Sequence, residues 1–322
     1  HLATALKLLE TFPDTRERAQ QELALQLALG PALIAIQGYA APDVDKVYAR
    51  ARELCQQVGN PQQIFPMLWG SWSGCLQKAE LHKARELAEQ LLHLAESAQE
   101  SALLLEAHYA LGNVLFWLGE SALARVHLEQ AIGLYDPQRH RAQAVLYGQE
   151  ERGVTSLCYV AWTLWCLGYA DQALARTREA LALADASVLP FSQTFALGCA
   201  AFLHQLRRES SATREQAEAV IVLSTEQGFP YWSALGTIVQ GWVLAEQSQE
   251  AEGSVQMHQG LVAYRATGAE LAQPYILALL AEAYGKIGQT EDGLATVAEA
   301  LRLVEKNDER FYEAELYRIA GE

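Results

Sequence analysis

Seven tryptophans, Trp69, Trp72, Trp117, Trp162, Trp165, Trp232 and Trp242, carry the most distinctive chemistry in this sequence. An indole binds by stacking and by donating one N–H, which suits a peptide, a partner helix or a flat small molecule. A reaction centre needs other residues, and their patterns are absent. The sequence holds no GxxxxGK[ST] phosphate loop, no HExxH and no GxSxG. Eight histidines are dispersed, and His82 and His93 fall on polar helix faces, without the orienting partner a catalytic base requires. The five cysteines (Cys55, Cys75, Cys158, Cys166, Cys199) are odd in number and form no CxxC. They read as small buried hydrophobes rather than zinc ligands or a disulfide framework. We expect no catalytic residue, no metal ligand and no cofactor, and hence no enzyme in this stretch of chain.

Composition narrows the partners. Lys and Arg number 24 against 39 Asp and Glu, a formal net charge of −15. Such a chain repels phosphate backbones and anionic headgroups, so neither nucleic acid nor a membrane surface is an expected partner. No signal peptide or membrane-length apolar run occurs, and a cytoplasmic location is expected. The sequence begins at His1 rather than methionine and is read as a fragment of a longer chain.

The elements that must position the tryptophans repeat. "EAHYALGNVLFWLGESALARVHLEQAIGLYDP" (106–137), "CYVAWTLWCLGYADQALARTREALALAD" (158–185) and "ILALLAEAYGKIGQTEDGLATVAEALRLVE" (276–305) share one plan. An apolar helix ends at glycine (Gly119, Gly168, Gly288), where a left-handed residue stops the helix. An amphipathic helix follows, opening on Ala124, Ala173 or Gly293, with a second small residue at Ala131, Ala180 or Ala300. Weaker copies align at Ala51, Leu91, Ala219 and Gly260, giving steps of 40, 40, 49, 39, 41 and 40 residues. Paired helices at a period near forty predict an all-α, right-handed α-α superhelix, or solenoid. Residues 1–322 are expected to form a single array of about seven helix pairs. The long step falls on "YDPQRHRAQAVLYGQEERG" (135–153), an insertion before the fourth pair.

Leu111-Gly112, Leu115, Gly119, Ala124, Leu128, Ala131 and Pro137 resemble a tetratricopeptide repeat, as do Leu280-Ala281, Tyr284, Gly288, Gly293, Val297 and Ala300. The usual period is 34, so these resemble the lengthened repeats of bacterial signal-transducing ATPases and of the maltose-regulon activator. The phrases "GPALIAIQGYAAPDVDKVYARARELCQQVG", "LLEAHYALGNVLFWLGE", "GLYDPQRHR" and "TGAELAQPYILALLAEAYGKIGQTEDGL" are similar to the C-terminal region of bacterial cyclase–ATPase proteins. In that family a class III nucleotide cyclase is joined to a STAND-type ATPase and then to such an array. The resemblance implies a signalling role, with upstream domains of the same chain as partners. Where the family has Asp-Pro-Gly-Val, this chain has Glu150-Glu151-Arg152-Gly153-Val154, and no role of that Asp-Pro is carried over.

First helices line the concave side of such an array, and all seven tryptophans lie in or beside them. The register places Trp69 and Ser73, then Tyr109, Asn113, Phe116 and Trp117, then Trp162 and Trp165, on the concave groove. His204 and Gln205, Trp242 and Glu246, and Glu282 and Lys286 continue it. His140 and Tyr147 of the insertion are placed to close it. The partner expected there is a protein or peptide, or a small effector molecule. The function expected is a sensor or scaffold array that regulates an upstream ATPase and nucleotide cyclase. An inducer-sensing domain of a transcription activator and a passive protein scaffold are the alternatives.

Overall fold

A computed structural model of the chain describes residues 1–58, 61–140, 150–187 and 189–321. Tyr147, and residues 141–149 of the insertion, lie outside them. Among the described residues there are seventeen helices and no strand. They are α1 (Leu2–Leu9), α2 (Arg16–Gln37), α3 (Pro42–Val58), α4 (Pro61–Gln77), α5 (Leu81–Ala98), α6 (Ser101–Trp117), α7 (Ser121–Leu134) and the single turn α8 (Pro137–His140). There follow α9 (Arg152–Cys166), α10 (Ala170–Asp185), α11 (Pro190–Leu206), α12 (Ser210–Gln227), α13 (Pro230–Glu246), α14 (Glu250–Ala266), α15 (Gln273–Lys286), α16 (Thr290–Asn307) and α17 (Glu313–Gly321). The chain is an all-α solenoid of tetratricopeptide-like helix pairs.

Inner helices (α4, α6, α9, α11, α13, α15) are apolar nearly all round, because they touch both their own partners and the superhelix axis. Outer helices bury one narrow stripe. In α7 it is Ala124, Leu128 and Ala131; in α10 it is Ala173, Thr177, Ala180 and Ala184. Small residues in that stripe let the helices close up. A Cβ on Gly253 of α14 would lie 2.4 Å from the Gly241 carbonyl oxygen of α13, so neither position tolerates a side chain.

The fifth pair corrects the register. Ala219 is half-buried, whereas Val220 is 1% exposed and occupies the place of Ala180 and Ala300. With Val220 in the series every step except the insertion step is forty residues.

The helix-ending turns obey the same period. Left-handed residues occur at Ala79, Gly119, Gly168, Arg208, Ser248 and Gly288. Three of the six are not glycine, and a left-handed L-residue costs roughly 1–2 kcal/mol. Ser248 is exposed with φ of 63°. Ser248→Gly should therefore raise stability by about 0.5–1 kcal/mol after glycine's greater freedom in the unfolded chain is subtracted. A thermal melt of the variant checks this; a lower midpoint would show that the serine is held there by more than its backbone.

The array winds far enough for its ends to meet. The amides of Glu270 and Leu271 donate to the Gln77 carbonyl at 2.8 and 3.1 Å, and the Arg310 amide donates to the Trp117 carbonyl at 2.9 Å. Gly268 fits against Ala40, whose carbonyl oxygen would stand 2.6 Å from an added Cβ. Two turns from the sixth and seventh repeats thus seat on the first three.

Candidate functional site

This closure brings the inner faces together into one aromatic ladder around the axis. Ring centroids run from Trp69 to Trp72 (5.7 Å), Tyr109 (6.0 Å), Tyr159 (5.9 Å), Trp162 (5.0 Å), Phe202 (4.6 Å) and Tyr275 (4.5 Å). Phe311, from the turn before α17, inserts among Phe116, Trp117, Phe202 and Tyr275. Tilted and edge-on ring contacts of this kind add about 0.5–1.5 kcal/mol each beyond burial. The wall is therefore self-cohesive.

Most of the residues assigned to the groove from sequence belong to this wall. Trp69, Tyr109, Asn113, Trp117, Trp162 and Trp242 are all at most 7% exposed. The Trp162 indole donates to the Cys199 carbonyl at 3.1 Å, and that of Trp117 to the Tyr159 hydroxyl at 3.3 Å. Trp165 is only half-buried. It lines an open cleft of about 540 Å³ with Leu206, Arg208, Phe311, Tyr312 and Glu315. Glu282 accepts from Arg208 at 2.8 Å and from Arg318 at 3.1 Å, and Trp242 lies beneath the Arg208 guanidinium. His204 pairs at 2.6 Å with Glu209 in its own turn. His140 is turned back on its own backbone, its Nδ1 accepting from the Asp136 amide at 2.9 Å.

Sequence reasoning missed the charged centre of the wall. Arg152 is buried over the face of Tyr109, with Cζ 4.1 Å from the ring centroid. Its Nε donates to Glu106 and its Nη1 to Glu150, each at 2.9 Å, and Nη1 also reaches Thr155 Oγ1 at 3.2 Å. Tyr39 donates its hydroxyl to Glu150, so the turn after α2 is tied to the start of α9. Burial pushes both carboxyls up, against the pull of Arg152. Burial also opposes the guanidinium charge, but Glu106 and Glu150 outweigh it and hold Arg152 protonated. A signal was available: Glu106 is the lone acid in the apolar run 102–118.

Several buried polar atoms on the inner faces have no partner: Trp72 Nε1, Gln77 Oε1, Asn113 Oδ1, Gln205 Nε2, Trp232 Nε1 and Trp242 Nε1. Beside two of them is a cavity of about 70 Å³, lined by Tyr39, Gln77, Trp162, Phe195, Ala201 and Trp232 among others. Among the described residues no three His, Cys, Asp or Glu side chains are grouped to hold a metal ion. No helix there is long and apolar enough to cross a membrane.

No family model matches the chain. An uncharacterized protein of Rhizobium meliloti is 24% identical over 307 residues, covering 95% of this chain. The match spans only 29% of that relative's length. Among solved structures the chain resembles a Rap protein complexed with competence and sporulation factor, with a TM-score of 0.65 and 12% identity over 99% of this chain and 88% of that one. It also resembles NprR in complex with its cognate peptide NprX (TM-score 0.59, 13% identity, 93% and 81% covered). The apo form of the quorum sensor NprR from B. thuringiensis gives a TM-score of 0.51 at 11% identity, over 99% of this chain and 90% of that one. At these identities the likeness is one of fold.

Proposed function

We propose that the chain is the sensing array of a signalling protein, and that an extended peptide or protein segment binds along its inner faces. The unpartnered polar atoms carry the reading. A wall built for stability alone pairs its buried polar groups. Here three amides and three indoles on α4, α6, α11 and α13 each leave one atom open, and a polypeptide backbone offers N–H and C=O groups at regular intervals to meet them. The peptide complexes of Rap and NprR, which share the fold, support the same ligand class. Because the ladder is closed by its own rings, binding requires the turns at 268–272 and 308–312 to yield. The ligand would therefore favour an opened arrangement over the closed one, and a coupled module would read the difference. The resemblance to cyclase–ATPase proteins makes an ATPase and nucleotide cyclase in the same polypeptide the proposed output.

The test is to pan a random hexapeptide library on the immobilised chain and on its Asn113→Leu variant. Replacing this amide by leucine removes the bond it donates to the Tyr109 hydroxyl at 3.1 Å and should cost about 1–3 kcal/mol of stability while leaving the chain folded. Enriched peptides should nonetheless bind the variant about ten-fold more weakly, the effect of about 1.4 kcal/mol. Peptides that bind both forms equally, or no enrichment at all, would remove the inner face as the ligand site.

A further inference from the structure

A polar cleft of about 190 Å³ opens where α3 and α4 meet the start of α5, and shares no residue with the aromatic ladder. Its charged lining is Arg52, Lys78 and Lys83 against Asp45 and Glu80, an excess of one positive charge. That excess sits on Arg52. Lys78 is paired with Asp45, and Lys83 with Glu80 at 3.0 Å. Arg52 is exposed and makes no ion pair among the described residues. Of its five N–H groups, one goes to the Ser71 hydroxyl at 2.9 Å, which places the guanidinium at the cleft, and the others are open. The bond to Glu80 holds Lys83 protonated, against the repulsion of the Arg52 charge nearby. Gly74 of α4 lines the same space. Glycine inside a helix is destabilising relative to alanine, and nothing packs on this one. An added Cβ would meet only Asp45 Oδ1, at 3.7 Å. Gly70, one turn earlier, has a packing reason, because a Cβ there would stand 1.9 Å from the Tyr48 ring. What Gly74 leaves is open space beside an unneutralised guanidinium.

We infer that this cleft binds the carboxylate of a short aliphatic acid, held by Arg52. A guanidinium takes a carboxylate through two parallel N–H bonds, and a single excess charge suits that group better than a doubly charged phosphate. Val44, Ala49 and Gly74 supply an apolar side for the hydrocarbon part. A cavity of about 150 Å³ holds the six carbons of benzene, so about 190 Å³ accommodates the six non-hydrogen atoms of butyrate. The net charge of −15 does not forbid an anion here, because charges more than about 8 Å away are screened at physiological salt. The carboxylate has two sources, a free short acid or the glutamate side chain of a partner segment. The site is independent of the peptide reading, since it lies off the ladder.

The experiment is an NMR titration of the whole ¹⁵N-labelled chain with butyrate, butyramide, inorganic phosphate and N-acetylglutamic acid α-amide. Butyrate should shift the amides of residues 70–78 at millimolar concentration, and butyramide, which keeps the shape without the charge, should bind at least ten-fold more weakly. Arg52→Gln should melt close to wild type and lose at least ten-fold in affinity for butyrate. Gly74→Leu, which fills the cleft and favours the helix, should abolish the shifts; should it not fold, Arg52→Gln still decides. Butyrate binding as tightly as the glutamate derivative identifies a free acid, and a glutamate derivative ten-fold tighter identifies a partner segment. Equal binding of butyramide, binding that survives either variant, or no shift with millimolar butyrate overturns the inference. Phosphate bound in place of butyrate overturns it as well, because the cleft would then be built for another anion. Failure of the peptide panning with butyrate still bound would sink the peptide reading and leave this site standing.

Discussion

Replacing Arg152 with methionine is expected to destabilise the chain by about 3–5 kcal/mol, the cost of stranding buried charges by removing their partner. The guanidinium stands between Glu106 and Glu150, both at most 5% exposed, and among the described residues it is the one cation bonded to each. Without it the two carboxyls must take up protons or draw in water. Both begin with proton affinities raised by burial. The variant's deficit should therefore grow as pH rises and shrink in acid, because below their folded pKa values both carboxyls are neutral and need no counterion. Lysine should rescue little, since one ammonium cannot bond both carboxylates in the planar fork that arginine offers. Replacing all three charged residues together with apolar side chains of similar volume should recover most of the loss. Thermal and urea midpoints between pH 5 and 8 decide this. A loss under about 1 kcal/mol, or one independent of pH, would show that the cluster is solvated and not structural.

How far this wall was legible depends on the distance between its parts in the sequence. Local rules worked where the cause is local. Gly119, Gly168 and Gly288 end helices with φ of 79°, 84° and 76°. The turns at Ala79, Arg208 and Ser248 have the same geometry without glycine, so residue type could not reveal them. Tryptophans were correctly assigned to inner helices, because a repeat register distinguishes one helix of a pair from the other. Register does not say what lies across the axis. Trp117 is covered by Phe311, nearly two hundred residues away, and no periodicity encodes that contact. The same limit explains Tyr39 and Gln77, which reach the site only because the two ends of the array meet. Ala219 fits the expectation of a small residue, but the forty-residue step, the stronger constraint, falls on Val220.

The closed ladder also changes which tryptophan tests binding. Trp162 holds a backbone hydrogen bond and packs on three rings, so truncating it damages the fold first. Trp165, at the rim of the open cleft, can be altered with the wall intact. An effect of Trp165→Ala on a bound peptide would concern recognition; an effect of Trp162→Ala would not separate the two.

Glu309 gives the closed arrangement a dependence on pH of comparable size. Its carboxyl is fully buried between the turns at 268–272 and 308–312, and receives the Ala272 amide at 3.1 and 3.2 Å. Burial raises its pKa from 4.5 to about 8, only partly offset by that amide. The folded chain thus holds a proton that the unfolded chain releases above about 4.3. Folding then binds more protons than unfolding, so this contribution falls as pH rises from about 4.5, and levels off only above 8. At about 1.4 kcal/mol per tenfold change in proton affinity, the full span amounts to roughly 4–5 kcal/mol. Glu309→Gln keeps the shape and the hydrogen bond to Ala272 without the titration. Wild type and variant should melt together at pH 5, and the variant should melt higher by on the order of 5–8 °C at pH 9. The location of the loss matters as much as its size. Amides of the 308–312 turn, including the Arg310 bond to Trp117, should exchange faster in wild type at pH 9 than in Glu309→Gln. Equal melting at both pH values would mean that the carboxyl reaches water, and that protonation does not hold the two turns on the aromatic wall.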